Sequence, residues 1–119
     1  MQRDMDLIRA MLQQVEANPH GFAEDIKIDG YTDEQIGYHS KLIGEAGLAR
    51  VVDLTSFGCQ SPKAKIVSLT WDGYEFLDNS RENQTWNQAK SAASKVGGAS
   101  LQIMTLVLAD LIKKKLGIL

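Results

Sequence analysis

The chain has 119 residues, 44% of them hydrophobic and 24% charged, which suits one globular domain with at most a helical appendage and is too apolar for a disordered segment. Its net charge of −2 hides an asymmetry: residues 1–80 carry seven Lys or Arg against thirteen Asp or Glu, and residues 81–119 carry six against two. One cysteine, Cys59, allows no internal disulfide, the first residues lack the apolar run of a signal peptide, and the longest apolar stretch, residues 101–112, is too short to span a membrane, so a cytoplasmic protein is expected.

Met5, Ile8, Met11, Leu12 and Val15 recur at three- and four-residue steps, which predicts a helix over residues 4–17, stopped by Asn18-Pro19 and Gly21. Ile26-Lys27-Ile28 alternates and is closed by Asp29-Gly30, the pattern of a brief strand. Thr32 and Gln35 are spaced as a capping box, opening a helix to about Ala46 that Gly47 ends. A 100° step places Ile36, His39, Leu42, Ile43 and Ala46 on its inner side, and Glu34, Gly37, Tyr38, Lys41, Gly44 and Glu45 on its outer side. Residues 49–54 and 65–69 read as the strands of a hairpin whose long loop, 55–64, holds Gly58, Ser61 and Pro62.

Thr70 is placed to cap a further helix carrying Trp71, Tyr74, Phe76 and Leu77. Thr85 and Gln88 predict a second capping box, for a helix with Trp86, Ala89, Ala93 and Val96 on one face and a break at Gly97-Gly98. Ser100 is placed to cap the last helix, running to about Leu116. The order helix, strand, helix, strand, wing loop, strand is that of a winged helix lacking one helix. The expected fold is therefore α+β, mostly α: a reduced winged helix over residues 1–80, followed by C-terminal helices in residues 81–119 that pack on it or dimerise.

Two stretches carry a family resemblance. DEQIGYHSKLIGEAGL, residues 33–48, resembles the helix and turn that enter the hairpin of many winged-helix regulators, and LTWDGYEFL, residues 69–77, resembles the segment that follows their wing. With the opening RDMDLIR and the closing Lys-Lys-Leu-Gly, the chain is similar over nearly its full length to a family of uncharacterised bacterial and phage proteins, a domain of unknown function presumed to be winged-helix. The resemblance implies a fold and a mobile-element context, with no established activity.

Catalytic and metal chemistry find no support in the sequence. His20, His39 and Cys59 match no zinc spacing or nucleophilic dyad, adjacent carboxylates such as Asp33 and Glu34 read as solvated surface, and Gly97-Gly98 lacks the lysine of a phosphate loop. Neither an enzyme nor a cofactor is expected. The first functional reading is a DNA-binding transcriptional regulator from a phage or mobile element. Gln35, Tyr38 and Lys41 would contact double-stranded DNA from the helix over residues 32–46, and Lys63 and Lys65 from the wing. The acidic balance of residues 1–80 weighs against strong nonspecific binding.

Gly37, Ser40 and Gly44 follow one another along the same helix as a flat ridge, suited to close packing by the terminal helix or by a partner. On the last helix Leu101, Met104, Leu108, Leu111 and Ile112 form one apolar stripe, and Ile103, Leu106 and Val107 form a second on the opposite side, which calls for a cover: a second copy in a homodimer, the favoured expectation, or the Trp86 helix of the same chain. The alternative function is a protein-interaction module, an accessory or inhibitor in phage–host conflict, that keeps the winged helix as a scaffold.

Overall fold

The computed structural model describes residues 1–95 and 100–117. Among these the protein is α+β and mostly helical, with five helices and one two-stranded antiparallel sheet. The chain forms two compact units, Met1–Tyr74 and Glu75–Leu119. The first holds α1 (Met5–Ala17), α2 (Asp33–Glu45), β1 (Ala49–Asp53) and β2 (Ala64–Leu69). The second holds α4 (Asn83–Ser94) and α5 (Leu101–Lys115), and α3 (Trp71–Ser80) carries the chain from one to the other. The expected break at Gly97-Gly98, and Val96 before it, lie outside the described residues.

In the first unit α1 starts where Asp4 Oδ1 accepts from the Leu7 amide at 3.0 Å, and it buries Leu7, Ile8, Met11, Leu12 and Val15. The capping box of α2 forms reciprocally: Thr32 Oγ1 accepts from the Gln35 amide at 3.1 Å and Gln35 Oε1 from the Thr32 amide at 2.8 Å. His39 is buried and ties the two helices together. Its Nδ1 lies 2.8 Å from the Gln35 carbonyl, which can only accept, so Nδ1 carries the proton. Nε2 is then the lone pair that accepts from the Asp4 amide at 3.0 Å. Tyr31 adds a hydroxyl donor to Asp4 Oδ2 at 2.7 Å.

The inner side of α2 differs from the expected one. Ser40 is buried in addition to Ile36, His39 and Ile43, whereas Leu42 is half-buried and Ala46 exposed. The cause is the hairpin, which covers a flank of the helix as well as supplying part of the core.

β1 and β2 pair antiparallel, Val51 opposite Ile66 and Val52 opposite Lys65, with a register shift between Arg50 and Val51 that leaves Val67 as the extra residue. The strand expected at Ile26–Lys27–Ile28 does not form. Instead the Gln14 carboxamide acts as a surrogate peptide, accepting from the Lys27 amide and donating to the Lys27 carbonyl, both at 3.0 Å. With those groups satisfied, the segment needs no strand partner there. One ladder-like bond lies earlier in the chain, from the Ala23 amide to the Val67 carbonyl at 2.8 Å.

The two segments that carry the family resemblance clasp each other. Thr70 Oγ1 donates to the Gly47 carbonyl at 2.6 Å, and the Thr70 amide to the Leu48 carbonyl at 3.1 Å. The same hydroxyl accepts from the Gly73 amide at 3.1 Å, capping α3. Gly73 lies so close over the Leu48 carbonyl that a Cβ would collide with it, which explains a glycine in the first turn of a helix.

In the second unit α4 and α5 pack together, burying Trp86, Ala89 and Ala93 of α4 and Leu101, Met104 and Leu108 of α5. Trp86 meets Phe76 edge-on, with ring centroids 5.9 Å apart. Ser100 caps α5 by accepting from the Ile103 amide at 3.1 Å. The capping box expected at Thr85 and Gln88 is not formed. The helix begins earlier, at Asn83, and Thr85 is fully buried inside it, where its hydroxyl accepts from the Lys115 ammonium. That lysine also meets Glu82 at 2.6 Å, tying the end of α5 to the start of α4.

Candidate functional site on the helix and hairpin

The candidate contact residues of the first unit lie on α2 and on the hairpin that flanks it. A Cβ built on Gly37 would sit 3.1 Å from Lys63 Cβ, and one on Gly44 would overlap the Val51 methyls. The small-residue ridge therefore does have a close neighbour, and that neighbour is the protein's own hairpin rather than its terminal helix. Ser40 is buried beside it, its hydroxyl donating to the Ile36 carbonyl at 2.8 Å.

This placement engages much of the expected DNA-contact set. Lys41 points to the hairpin and pairs with Asp53 at 2.7 Å. The pair and the Thr55 amide together hold the Asp53 carboxyl far below the usual aspartate range and raise the Lys41 ammonium. Gln35 is committed to the capping box. Tyr38 is half-buried, its ring edge-on to His39 at 5.8 Å. Lys65 lies 3.5 Å from Asp25, and Lys63 is exposed. What α2 leaves most open to solvent is Asp33, Glu34 and Glu45, three carboxylates. Asp33 pairs with Lys27 at 2.7 Å, an exposed contact that raises the Lys27 ammonium.

The hairpin has a second face. Val51 and Asp53 turn toward α2, so the alternation of an extended strand sends Val52 the other way, whereas Leu54, just past the strand, lines the cleft beside α2 with Gly37 and Lys63. Val52 and Leu54 are 51% and 46% exposed, and Phe57 near the tip is fully exposed. The loop that presents Phe57 is ordered by its own bonds: Thr55 Oγ1 accepts from the Lys63 amide at 3.0 Å, the Leu54 amide donates to the Lys63 carbonyl at 3.0 Å, and the Cys59 amide donates to the Ser56 carbonyl at 3.1 Å. Bonds from Ser56 to the Cys59 thiol lower its pKa. Val52 and Leu54 were not legible as surface because β-branched and aliphatic strand residues read as core. The available signal was that a two-stranded ribbon covered by one helix keeps one face open.

On α5 the candidate dimer contacts differ in exposure: Leu106 is 70% exposed, Ile103 is exposed to a lesser degree, and Val107 is half-buried. Shallow clefts flank α2. One, of about 370 Å³, has Lys27, Asp33, Lys63 and Lys65 around a floor that includes Gly37 and Ser40. Among the described residues no three or more His, Cys, Asp or Glu side chains gather to hold a metal ion, and no helix is long and apolar enough to cross a membrane.

These features define a small α+β protein with two surface elements, a helix and a hydrogen-bonded hairpin, as its candidate sites. Residues 2–100 match the family described as hypothetical protein (DUF2513), and the chain belongs to that family. It is also similar to an uncharacterized protein of Haemophilus influenzae, 35% identical over 99 residues that cover 76% of this chain and 77% of that protein. No solved structure matches the chain.

Proposed function

We propose that the chain is a protein-interaction module that uses a reduced winged helix as its scaffold, as an accessory or inhibitor acting on another protein. The winged-helix reading is supported by the Ala23–Val67 bond, which sets the segment before α2 alongside β2 and gives the order extended segment, β2, β1. The observation that carries the interaction reading is the charge of α2: its open positions hold Glu34, Glu45 and Asp33, the last in an exposed pair with Lys27, and its one lysine, Lys41, is paired with Asp53. A helix presenting carboxylates to a phosphate backbone is repelled by it. Self-association through Ile103 and Leu106 of α5 belongs to the same proposal, because a helix with apolar residues open to solvent is stabilised by a cover.

The test is co-purification of the tagged full chain from its native host after nuclease treatment. A stoichiometric protein that survives the nuclease supports the module. Recovery of nucleic acid alone, lost on nuclease treatment, contradicts it.

The second reading, a DNA-binding regulator, is favoured by the three exposed cations of the hairpin, Arg50, Lys63 and Lys65. It expects binding to duplex DNA that weakens steeply with salt, with a loss of about one unit of salt slope for each phosphate contact removed. Anisotropy of a labelled random duplex across a salt series decides between the two.

A further inference from the structure

We propose that the hairpin is the docking element of this module and that its partner is a protein segment both apolar and acidic, which receives Phe57 in a pocket and sets carboxylates against Arg50, Lys63 and Lys65. The inference rests on the interaction reading above and names its surface. Within the first unit the charges are segregated. Residues 49–69 carry three cations and one carboxylate, Asp53, whereas the other residues up to Tyr74 carry four cations and ten carboxylates. The single hairpin carboxylate is paired with Lys41 of α2, and of the hairpin cations Lys65 lies 3.5 Å from Asp25 in an exposed pair that a partner's carboxylate can replace. A cationic, apolar projection therefore stands on an anionic body. A partner of matching shape is drawn to the hairpin and repelled by the rest of the unit.

The apolar part of this surface lies within six residues of the chain, and its loop is held by hydrogen bonds of its own. Val52 lies on the side of β1 that faces away from α2 with Lys65 directly opposite, Leu54 is half open at the rim of the cleft beside α2, and Phe57 follows at the tip. An aromatic side chain fully in water on an ordered loop is the arrangement of an interaction anchor, because little ordering entropy remains to be lost on binding. Duplex DNA satisfies the cations but leaves Val52 and Leu54 without an apolar surface to meet. The acidic apolar protein segment satisfies both.

The experiment pans the full-length chain against a displayed library of random peptides and measures affinity for the synthetic winners. Enriched peptides should combine aromatic or aliphatic residues with Asp or Glu. Phe57→Ser, and separately Val52→Ser with Leu54→Ser, should weaken binding about tenfold or more. Lys63→Glu should weaken it too, and Leu106→Ser on α5 should leave it unchanged. These positions are solvent-exposed, and circular dichroism of each variant verifies the fold. Failure to enrich, enrichment of basic peptides, or undiminished binding by Phe57→Ser overturns the proposal, as does Phe57-dependent capture of a random DNA duplex. If Phe57→Ser still co-purifies with a stoichiometric host protein, the module stands and the hairpin assignment falls.

Discussion

Gly44 and Val51 occupy one another's space: a methyl group on Gly44 would overlap the Val51 side chain, so the helix and the hairpin touch backbone to side chain. The contact turns one side of α2 inward and reserves it for the protein itself. It also orients the opposite face of β1, with Val52, toward solvent.

Gly44→Ala is therefore expected to destabilise the protein despite the better helix former. Alanine contributes about 1 kcal/mol of helix propensity, and overpacking a filled site costs about 1–3 kcal/mol. A net loss of up to about 2 kcal/mol should appear in urea denaturation. Val51→Ala combined with Gly44→Ala should recover part of it, as a double-mutant cycle would record. Gly37→Ala meets only the Lys63 Cβ at 3.1 Å, which a shift of a few tenths of an ångström relieves, so its effect should be smaller.

Thr70→Val removes the hydroxyl that bonds the Gly47 carbonyl and caps Gly73 while keeping the shape of the side chain. The expected cost is about 1–2 kcal/mol, read from the denaturation midpoint at unchanged slope. Thr70→Ser, which keeps the hydroxyl, should recover most of it.

The Lys41–Asp53 pair gives a pH signature. The folded Asp53 carboxyl titrates below its ordinary 3.8, so the pair stabilises the fold above that value, and the contribution is lost as the pH falls below it. Melting temperatures measured from neutral pH downward should show Asp53→Asn less stable than the parent at neutral pH. The difference should close in acid. A constant offset at all pH values would mean that the substitution acts through something other than this charge.

Leu106→Glu places a charge on the most exposed apolar position of α5 that lies within the helix. Light scattering is expected to show the parent as a dimer and the variant as a monomer, with helix content unchanged.

Much of the fold was legible because its signals are local. The capping box at Thr32 and Gln35, the cap at Ser100, the Gly47 stop and the alternation of the hairpin strands each act within four residues. The strand at Ile26–Ile28 failed because its hydrogen bonds go to a side chain thirteen residues away, Gln14 to Lys27, and no local pattern encodes that. The box at Thr85 failed because a threonine spaced as a cap is also a small polar residue that a helix interior accepts once a lysine reaches its hydroxyl. The candidate site was legible in part. Gly37 and Gly44 announced a close approach, but the neighbour's identity depends on the angle at which the hairpin leaves α2. That angle also brought Lys41 into its pair with Asp53.

The most direct measurement is photo-crosslinking in the native host, with a benzoyl-phenylalanine placed at position 57 in one strain and at position 34 of α2 in another. A discrete protein adduct is expected from position 57 and none from position 34. Adducts to nucleic acid from position 34 would contradict the account, because they would place the acidic helix, and not the Phe57 hairpin, at the functional contact.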